Sequence, residues 1–556
     1  FYTYDSVQDT YNPITKVAKG ELMEKTQPYY KTTQQYSLNY KNTFNDLHDV
    51  EALALWEWKE TNTNWFMARR YYSTTSAIPE LDRGDVDNMY NEGNSAVYKY
   101  GGLVGRLNYV YAGKYMAEFS FRYDGSYKTA PDKRWGFFPA VSAGWRISEE
   151  QFMKDLVPQM DNLKLRASWG SIGNDSQLNA SQFVSGWQFE DRFILGGAGN
   201  SSASITNGMK EANLANPNIT WYKVMTTNVG LDGSFWGGKL SFEFDYFYRK
   251  TTGYPATRNT SLPTTSGIPL PQENLNSSDN RGFELSLGTV QRIGNVNLQI
   301  KGNVAYAREK DLYKEQALPL NQYKNWRDNG AYRWKNVTWG YEHIGQFQSY
   351  DEIYNSPIQD GKGNSSLRPG DIKYKDLNGD GLIDANDEKV IGKGTFPDLN
   401  FGLTLAADWK GFDVNILFQG ASNYTQVLNA LTSPFRGPGE GNGFRVWMDS
   451  WHKADYNDPD SEWVPGKFPS LRIEGNDNNS KKSTYWTTDA YYVRLKSIEI
   501  GYTIPKNLLS KVGIEHLRVY ANAYNPLTIT NVKYTDPEAI EGWQSFYYPQ
   551  LKVYSF

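Results

Sequence analysis

The chain has 556 residues, a formal net charge of −4 and no cysteine, which excludes disulfide staples, thiolate metal sites and cysteine nucleophiles. Its balanced charge, with no basic cluster, gives no reason to expect nucleic acid. Aromatic residues reach 15 %, and no apolar run approaches the roughly 20 residues of a membrane-spanning helix. Mean hydropathy is low at −0.67, but that measure is blind to barrel strands, which are only half apolar.

The opening FYTYDSV is not a signal peptide and reads as mid-fold, so we expect a mature or partial chain. A strand fragment is predicted at 1–4, then strands at 33–43 and 49–58. The clearest block follows at 103–147, LVGRLNYVY, YMAEFSFRY and RWGFFPAVSAGWRI. In its middle segment Tyr115, Ala117, Phe119, Phe121 and Tyr123 share one parity, with Glu118, Ser120, Arg122 and Asp124 on the other. Alternate side chains of a strand point to opposite faces, so this is one apolar and one charged wall. Further strands are predicted at 162–170, 219–235, 239–250, 281–291, 295–307, 397–409, 412–420, 490–504, 514–524 and 549–556. In the strand YYVRLKSIEIGYTIP, Val493 and Leu495 are odd but Ile498, Ile500 and Tyr502 are even; a β-bulge near 496–497 would restore one outward face, and the alternative is that this end of the strand leaves the bilayer.

The connections alternate in length. Short ones fall at 112–114, 236–238, 292–294 and 410–411, with somewhat longer ones at 148–161 and 505–513; long polar ones fall at 59–102, 171–218, 251–280, 308–396, 421–489 and 525–548. Short turns at one end and long loops at the other predict a transmembrane antiparallel β-barrel with long extracellular loops. Tyr and Trp at the strand ends match the aromatic girdles of such a barrel. The parity places Phe119 towards lipid and Arg122 towards the lumen.

No enzyme motif is present. His48, His343, His452 and His516 are scattered, and GPGEGNG at 437–443 lacks the strand-to-helix setting of a phosphate loop. Six loop tryptophans, Trp187, Trp326, Trp334, Trp339, Trp451 and Trp463, are candidate platforms for a glycan or peptide substrate; packing between loops is the alternative for each. One metal constellation is specific. Asp376, Asn378, Asp380, Leu382 (through its carbonyl), Asp384 and Asp387 match positions 1, 3, 5, 7, 9 and 12 of a calcium loop, with Gly381 at the turn. The flanks KYK and EKVIG are strand-like, so a structural calcium in a loop without flanking helices is the expectation. A solvated Asx-turn is the alternative.

Longer runs carry a resemblance. RLNYVYAGKYMAEFSFRYDGSYKTAPDKRWGFFPAVSAGWRISEEQFM (106–153), LKLRASWGSIGN, NRGFELSLGTV, GDIKYKDLNGDGLIDANDEKVIG and YYVRLKSIEIGYTIPKNLLSKVGIEHLRVYANAYN resemble SusC-like (SusC/RagA) TonB-dependent outer-membrane transporters of Bacteroidetes. The resemblance implies about 16 strands of a 22-strand barrel, with the N-terminal plug domain, TonB box and signal peptide outside residues 1–556. It also implies energised import of glycan oligosaccharides or oligopeptides. The implied partners are a SusD-like surface lipoprotein lid, the TonB–ExbB–ExbD complex and outer-membrane lipid. A passive porin-like barrel and a calcium-binding surface β-protein or adhesin remain the alternatives.

Overall fold

The computed structural model describes the chain except residues 1, 6–9, 14–19, 73–77, 181, 195–204, 259–269, 318–320, 433–443, 473–476, 511–512 and 540–549. One antiparallel sheet dominates. Its strands are β1 (Gly20–Thr26), β2 (Tyr29–Phe44), β3 (His48–Tyr72), β4 (Tyr90–Tyr111), β5 (Tyr115–Ser126), β6 (Trp135–Arg146), β7 (Met160–Asn174) and β8 (Tyr222–Phe235). They continue as β9 (Leu240–Thr257), β10 (Gln272–Ile293), β11 (Val296–Tyr313), β12 (Leu399–Trp409), β13 (Phe412–Val427), β14 (Thr487–Thr503), β15 (Arg518–Thr530) and β16 (Val553–Ser555). β1 and β2 pair with successive parts of β3 and share one lane, so the sixteen strands fill fifteen lanes.

The strands follow one another in barrel order. At the seam between β16 and the β1–β2 lane no paired register occurs among the described residues. Every residue of β2 is exposed, Leu38 at 75 %. The wall is therefore curved like a barrel but has a free edge. The fragment expected at 1–4 is not part of this wall. Tyr2–Asp5 pairs with Thr10–Pro13 as a separate small hairpin, because two four-residue strands so close in sequence satisfy each other first.

All fifteen lanes coincide with the strands read from alternation, but many run further outward. β3 pairs with β4 from His48↔Tyr111 to Arg69↔Tyr90, which turns most of the expected loop 59–102 into sheet. Above the apolar band both faces meet water, so a run such as Lys59–Glu60–Thr61–Asn62–Thr63–Asn64 shows no alternation while its backbone still pairs. Five of the seven inward connections are tight turns, and the other two, 147–159 and 504–517, are longer. The tight turns use the left-handed region, at Asn45 and Asp46, Ala112 and Gly113, Trp236 to Gly238, Gly294, and Lys410 and Gly411. The bulge falls where parity breaks: Leu417 opposes Ser497 while Phe418 opposes Leu495, which leaves Lys496 as the extra residue.

The two faces of the wall differ in kind. Phe119, Tyr123, Val141, Leu165 and Trp169 are exposed on the outside, as lipid-facing side chains are in a protein without its bilayer. The inner face carries ion pairs that cross strands. Arg122 donates from Nε to Asp124 Oδ2 (2.9 Å) and from Nη2 to the Tyr100 hydroxyl (2.9 Å), and also faces Glu57. Arg166 on β7 reaches Asp232 on β8 (3.1 Å) and Asp245 on β9 (2.6 Å), with Arg518, Asp413 and Glu499 forming a similar cluster across β13, β14 and β15. Gly230 stands between Arg166 and Asp245, where a Cβ would lie 2.4 Å from the guanidinium carbon, so only glycine leaves the bridge room.

Candidate functional site

The longest outward connections, 314–398 and 428–486, fold together rather than hanging free. Two short ribbons anchor the first: His343–Gln346 pairs with Ile372–Tyr374, and Val337–Gly340 with Lys389–Lys393. Ile372, Tyr374 and Ile383 from this loop pack against Leu428, Leu431, Trp447, Phe468 and Trp486 from the other. Burying such side chains stabilises by about 1.5–3 kcal/mol each relative to leaving them in water, which makes this assembly a small core of its own.

A buried polar knot fixes how the loops meet. The Asp371 carboxylate is fully buried and accepts from Arg472, from Asn479 Nδ2 (2.8 Å) and from the Arg368 amide (2.9 Å). Gln359 donates to the Ile372 carbonyl (2.6 Å) and to Asn478 Oδ1 (3.0 Å), while the Tyr374 hydroxyl donates to the Asn478 carbonyl (2.7 Å). Lys481 donates to the Gln359 carbonyl (2.7 Å), and burial pushes its ammonium below the usual lysine range. Asp371 and Arg472 are 101 residues apart, so no spacing in the sequence announces the pair. At the barrel rim, Arg494 is also buried and held by Asp536 (2.8 Å) and Glu538 (2.9 Å).

The candidate tryptophans divide. Trp326 stands on the helix Gln322–Asp328, edge-on to Trp339 with ring centres 5.5 Å apart, and Arg333 lies 5.2 Å from its ring. Trp334 lies under Arg308 at 4.5 Å. Trp334 and Trp339 also line an open crevice of about 890 Å³ with Asn276, Arg333, Lys335 and Tyr254. The structure therefore brings these three together. Trp451 is buried, donates from Nε1 to Gln346 Oε1 (3.3 Å), and packs on Gly370, where φ is +89° and an added Cβ would lie 2.3 Å from the Trp451 side chain, so no side chain fits. Its visible role is loop packing. Trp463 lies beside Lys453 in the ribbon His452–Lys453 with Trp463–Val464, and Trp187 is exposed on the ribbon Gly186–Ile194 with Ile205–Asn213. The glycine-rich stretch 437–443 lies outside the described residues.

The segment 376–387 lies between the strands Ile372–Tyr374 and Lys389–Lys393, without flanking α-helices, as its sequence predicts. Asp376 accepts from the Gly379 amide (2.6 Å) and the Gly381 amide (2.9 Å), which hold its carboxyl below the usual carboxylate range. Asn378 accepts from the Asp380 amide, Asp380 from Leu382, and Asp384 from Asn386. Asp387 is fully buried and accepts from the amides of Leu377 (2.8 Å) and Asp384 (2.9 Å). The carboxylates thus wrap the backbone of a double turn. Among the described residues no group of three or more His, Asp or Glu side chains is arranged to hold a metal ion.

The chain matches the family described as TonB dependent receptor-like, beta-barrel, over residues 1–525. It is 28 % identical over 544 residues to TonB-dependent receptor P3 of Formosa agariphila, covering 95 % of this chain and 51 % of that protein. It is 26 % identical to TonB-dependent receptor SusC of Bacteroides thetaiotaomicron over 463 residues, covering 81 % of this chain and 42 % of SusC. The solved RagAB peptide importer in its closed-closed state has the same fold, with a TM-score of 0.72 at 21 % identity over 98 % of this chain and 57 % of that one. The chain spans about half the length of the curated relatives it matches. It belongs to the TonB-dependent receptor-like β-barrel family and is an outer-membrane β-barrel protein.

Proposed function

We propose that this chain is the transport wall of a TonB-energised importer of large nutrients, glycan oligosaccharides or oligopeptides, that works with a SusD-like surface lipoprotein as its lid. The observation that carries the reading is the folded outer assembly, in which two loops of more than fifty residues share one core and a buried ion pair. A passive pore has no use for so large a shaped outer surface, whereas a docking lid needs one. The likeness to SusC and to the RagAB peptide importer supports the same reading. The unpaired β2 edge supports completion of the ring by further strands, since lipid leaves open backbone groups unsatisfied. Coupling to TonB–ExbB–ExbD rests on the family resemblance.

The test is deletion of part of 428–486 in the full-length protein. Loss of the co-purifying lipoprotein and of growth on the imported nutrient, with barrel insertion intact, is the expected result. Retained co-purification and growth refute the docking role.

We also propose one structural calcium in 376–387. Each carboxylate oxygen that accepts one amide keeps a further lone pair, and Asp376, Asn378 and Asp380 hang on the same double turn. The ion would pin the outer loop and take no part in transport chemistry.

A further inference from the structure

The outer face of β9, β10 and β11 changes character abruptly as the strands leave the apolar band. Phe283 pairs in register with Tyr246 and Tyr306, forming an aromatic row on the lipid side. Two residues further out, Arg281 pairs with Tyr248 and Arg308; two beyond that, Asp279 pairs with Lys250 and Lys310. Because a strand repeats its face every second residue, Lys250, Arg281, Arg308 and Lys310 all point outward, directly above the aromatic row. Trp334 joins this face by pairing with Lys310, and its ring lies 4.5 Å from Arg308, 5.6 Å from Arg281 and 5.9 Å from Lys310.

Height can be worked from the turn at Gly294. Arg308 is twelve residues beyond Val296, or about 41 Å along the strand and about 29 Å in height at a 45° tilt. An outer-membrane barrel's apolar band is about 25 Å tall, so the cations stand at the external headgroup level. Charge supplies the second constraint. Asp279 pairs with Arg281 (2.6 Å) and Asp398 faces Arg308 (3.6 Å), while Lys250 and Lys310 form no ion pair among the described residues. Four cations against two carboxylates leave a surplus of two positive charges, and a phosphomonoester carries about −1.5 to −2. Tyr248 lies 5.5 Å from the Arg281 guanidinium and Trp334 4.5 Å from that of Arg308, cation–π contacts that hold these groups at the wall, and guanidinium groups suit bidentate phosphate contacts.

We propose that Lys250, Arg281, Arg308, Lys310 and Trp334 form a binding site for the phosphorylated headgroup of an outer-leaflet lipid. The four cations lie on the wall's outside, so the site does not depend on the transport reading; Trp334 alone also borders the open crevice described above. Its occupant is a lipid rather than a free anion because the aromatic row immediately below continues into the lipid-facing band. A bound headgroup there would tether the outer rim, from which Arg333–Trp334 leads into the folded loops.

The experiment is native mass spectrometry of the purified full-length protein in detergent, titrated with bis-phosphorylated lipid A, dephosphorylated lipid A and inorganic phosphate. We expect the bis-phosphorylated lipid to bind, the dephosphorylated lipid to bind at least tenfold more weakly, and inorganic phosphate not to displace it at equal concentration. Combining Lys250→Gln, Arg308→Gln and Lys310→Gln should weaken lipid binding at least tenfold. Arg249→Gln removes the same charge at the same height from the inner face and should leave it unchanged. If the triple variant fails to assemble, Lys310→Gln alone makes the comparison, with a drop of several-fold. Equal binding by wild type and outer-face variants, equal binding of the two lipids, or displacement by inorganic phosphate overturns the proposal.

Discussion

Phe119 tests the orientation of the wall at a single side chain. It lies four residues past Tyr115, where β5 begins, or about 14 Å along the strand and about 10 Å up from the inner boundary at a 45° tilt. In a band about 25 Å tall this is close to the midplane, where an arginine on the lipid face costs about 2–4 kcal/mol. Phe119 pairs with Leu107 and Val141, which also point outward, so no neighbouring carboxylate could relieve the charge. Ser142 is the matched control. It pairs with Glu118 on the inner face, where a new arginine meets water and an opposite charge. Urea unfolding in lipid vesicles should therefore show Phe119→Arg destabilised by about 2–4 kcal/mol and Ser142→Arg changed by less than about 1 kcal/mol. Similar costs for the two variants, or a larger one for Ser142→Arg, would mean that the register or the membrane assignment is wrong.

Other consequences are open to measurement. Arg166→Met leaves Asp232 and Asp245 facing each other without their shared cation and should cost about 1–3 kcal/mol in the same unfolding assay; Arg166→Lys should recover little of it, because one ammonium cannot bridge both carboxylates. In the outer loop, burial tends to raise the Asp360 carboxyl, but hydrogen bonds from Ser366, Lys362 and Asn364 outweigh it and bring it down to about 2. A depressed carboxylate stabilises the fold above its unfolded pKa of about 3.9, and the contribution fades as pH falls from there through about 2. Protection against hydrogen exchange around 360–366, taken relative to the intrinsic exchange rate at each pH, should thus fall across that window in wild type, and Asp360→Asn should remove this loss of protection. Calorimetry should show one calcium site in the wild-type barrel and none after combining Asp376→Ala with Asp380→Ala; equal uptake by both proteins would reduce 376–387 to a turn.

What the sequence made legible follows the bilayer. Between the two interfaces one face of each strand must be apolar, so alternation survives at Leu240–Tyr248 and Phe412–Phe418 and marks every lane of the wall. Even the break at Lys496 was readable, because a bulge shifts parity and parity is what the pattern records. Outside the band that constraint lapses. The outer halves of β3 and β4 look like loop, although they are paired as regularly as the rest. The tryptophans show another limit. Composition flags Trp451 and Trp326 alike, yet one is buried against Gly370 and the other is exposed, and only tertiary packing separates them. The knot of Asp371, Arg472, Asn478 and Asn479 was invisible for a related reason, since its partners come from different loops and follow no local period. Of the outward cations of β9 to β11, Lys250 and Arg281 fell at predicted strand ends and Arg308 and Lys310 in the predicted loop 308–396. Register across three strands is needed before they become one patch.

Which connections face the cell surface fixes the barrel's orientation, and the absence of cysteine makes that directly measurable. Lys362→Cys places a thiol in the exposed outer assembly, and Lys239→Cys places one in the exposed short turn between β8 and β9. Intact cells treated with a membrane-impermeant maleimide should label Lys362→Cys at once, and Lys239→Cys only after the outer membrane is permeabilised. Labelling of Lys239→Cys in intact cells, or protection of Lys362→Cys there, would contradict the barrel's orientation and the import function built on it.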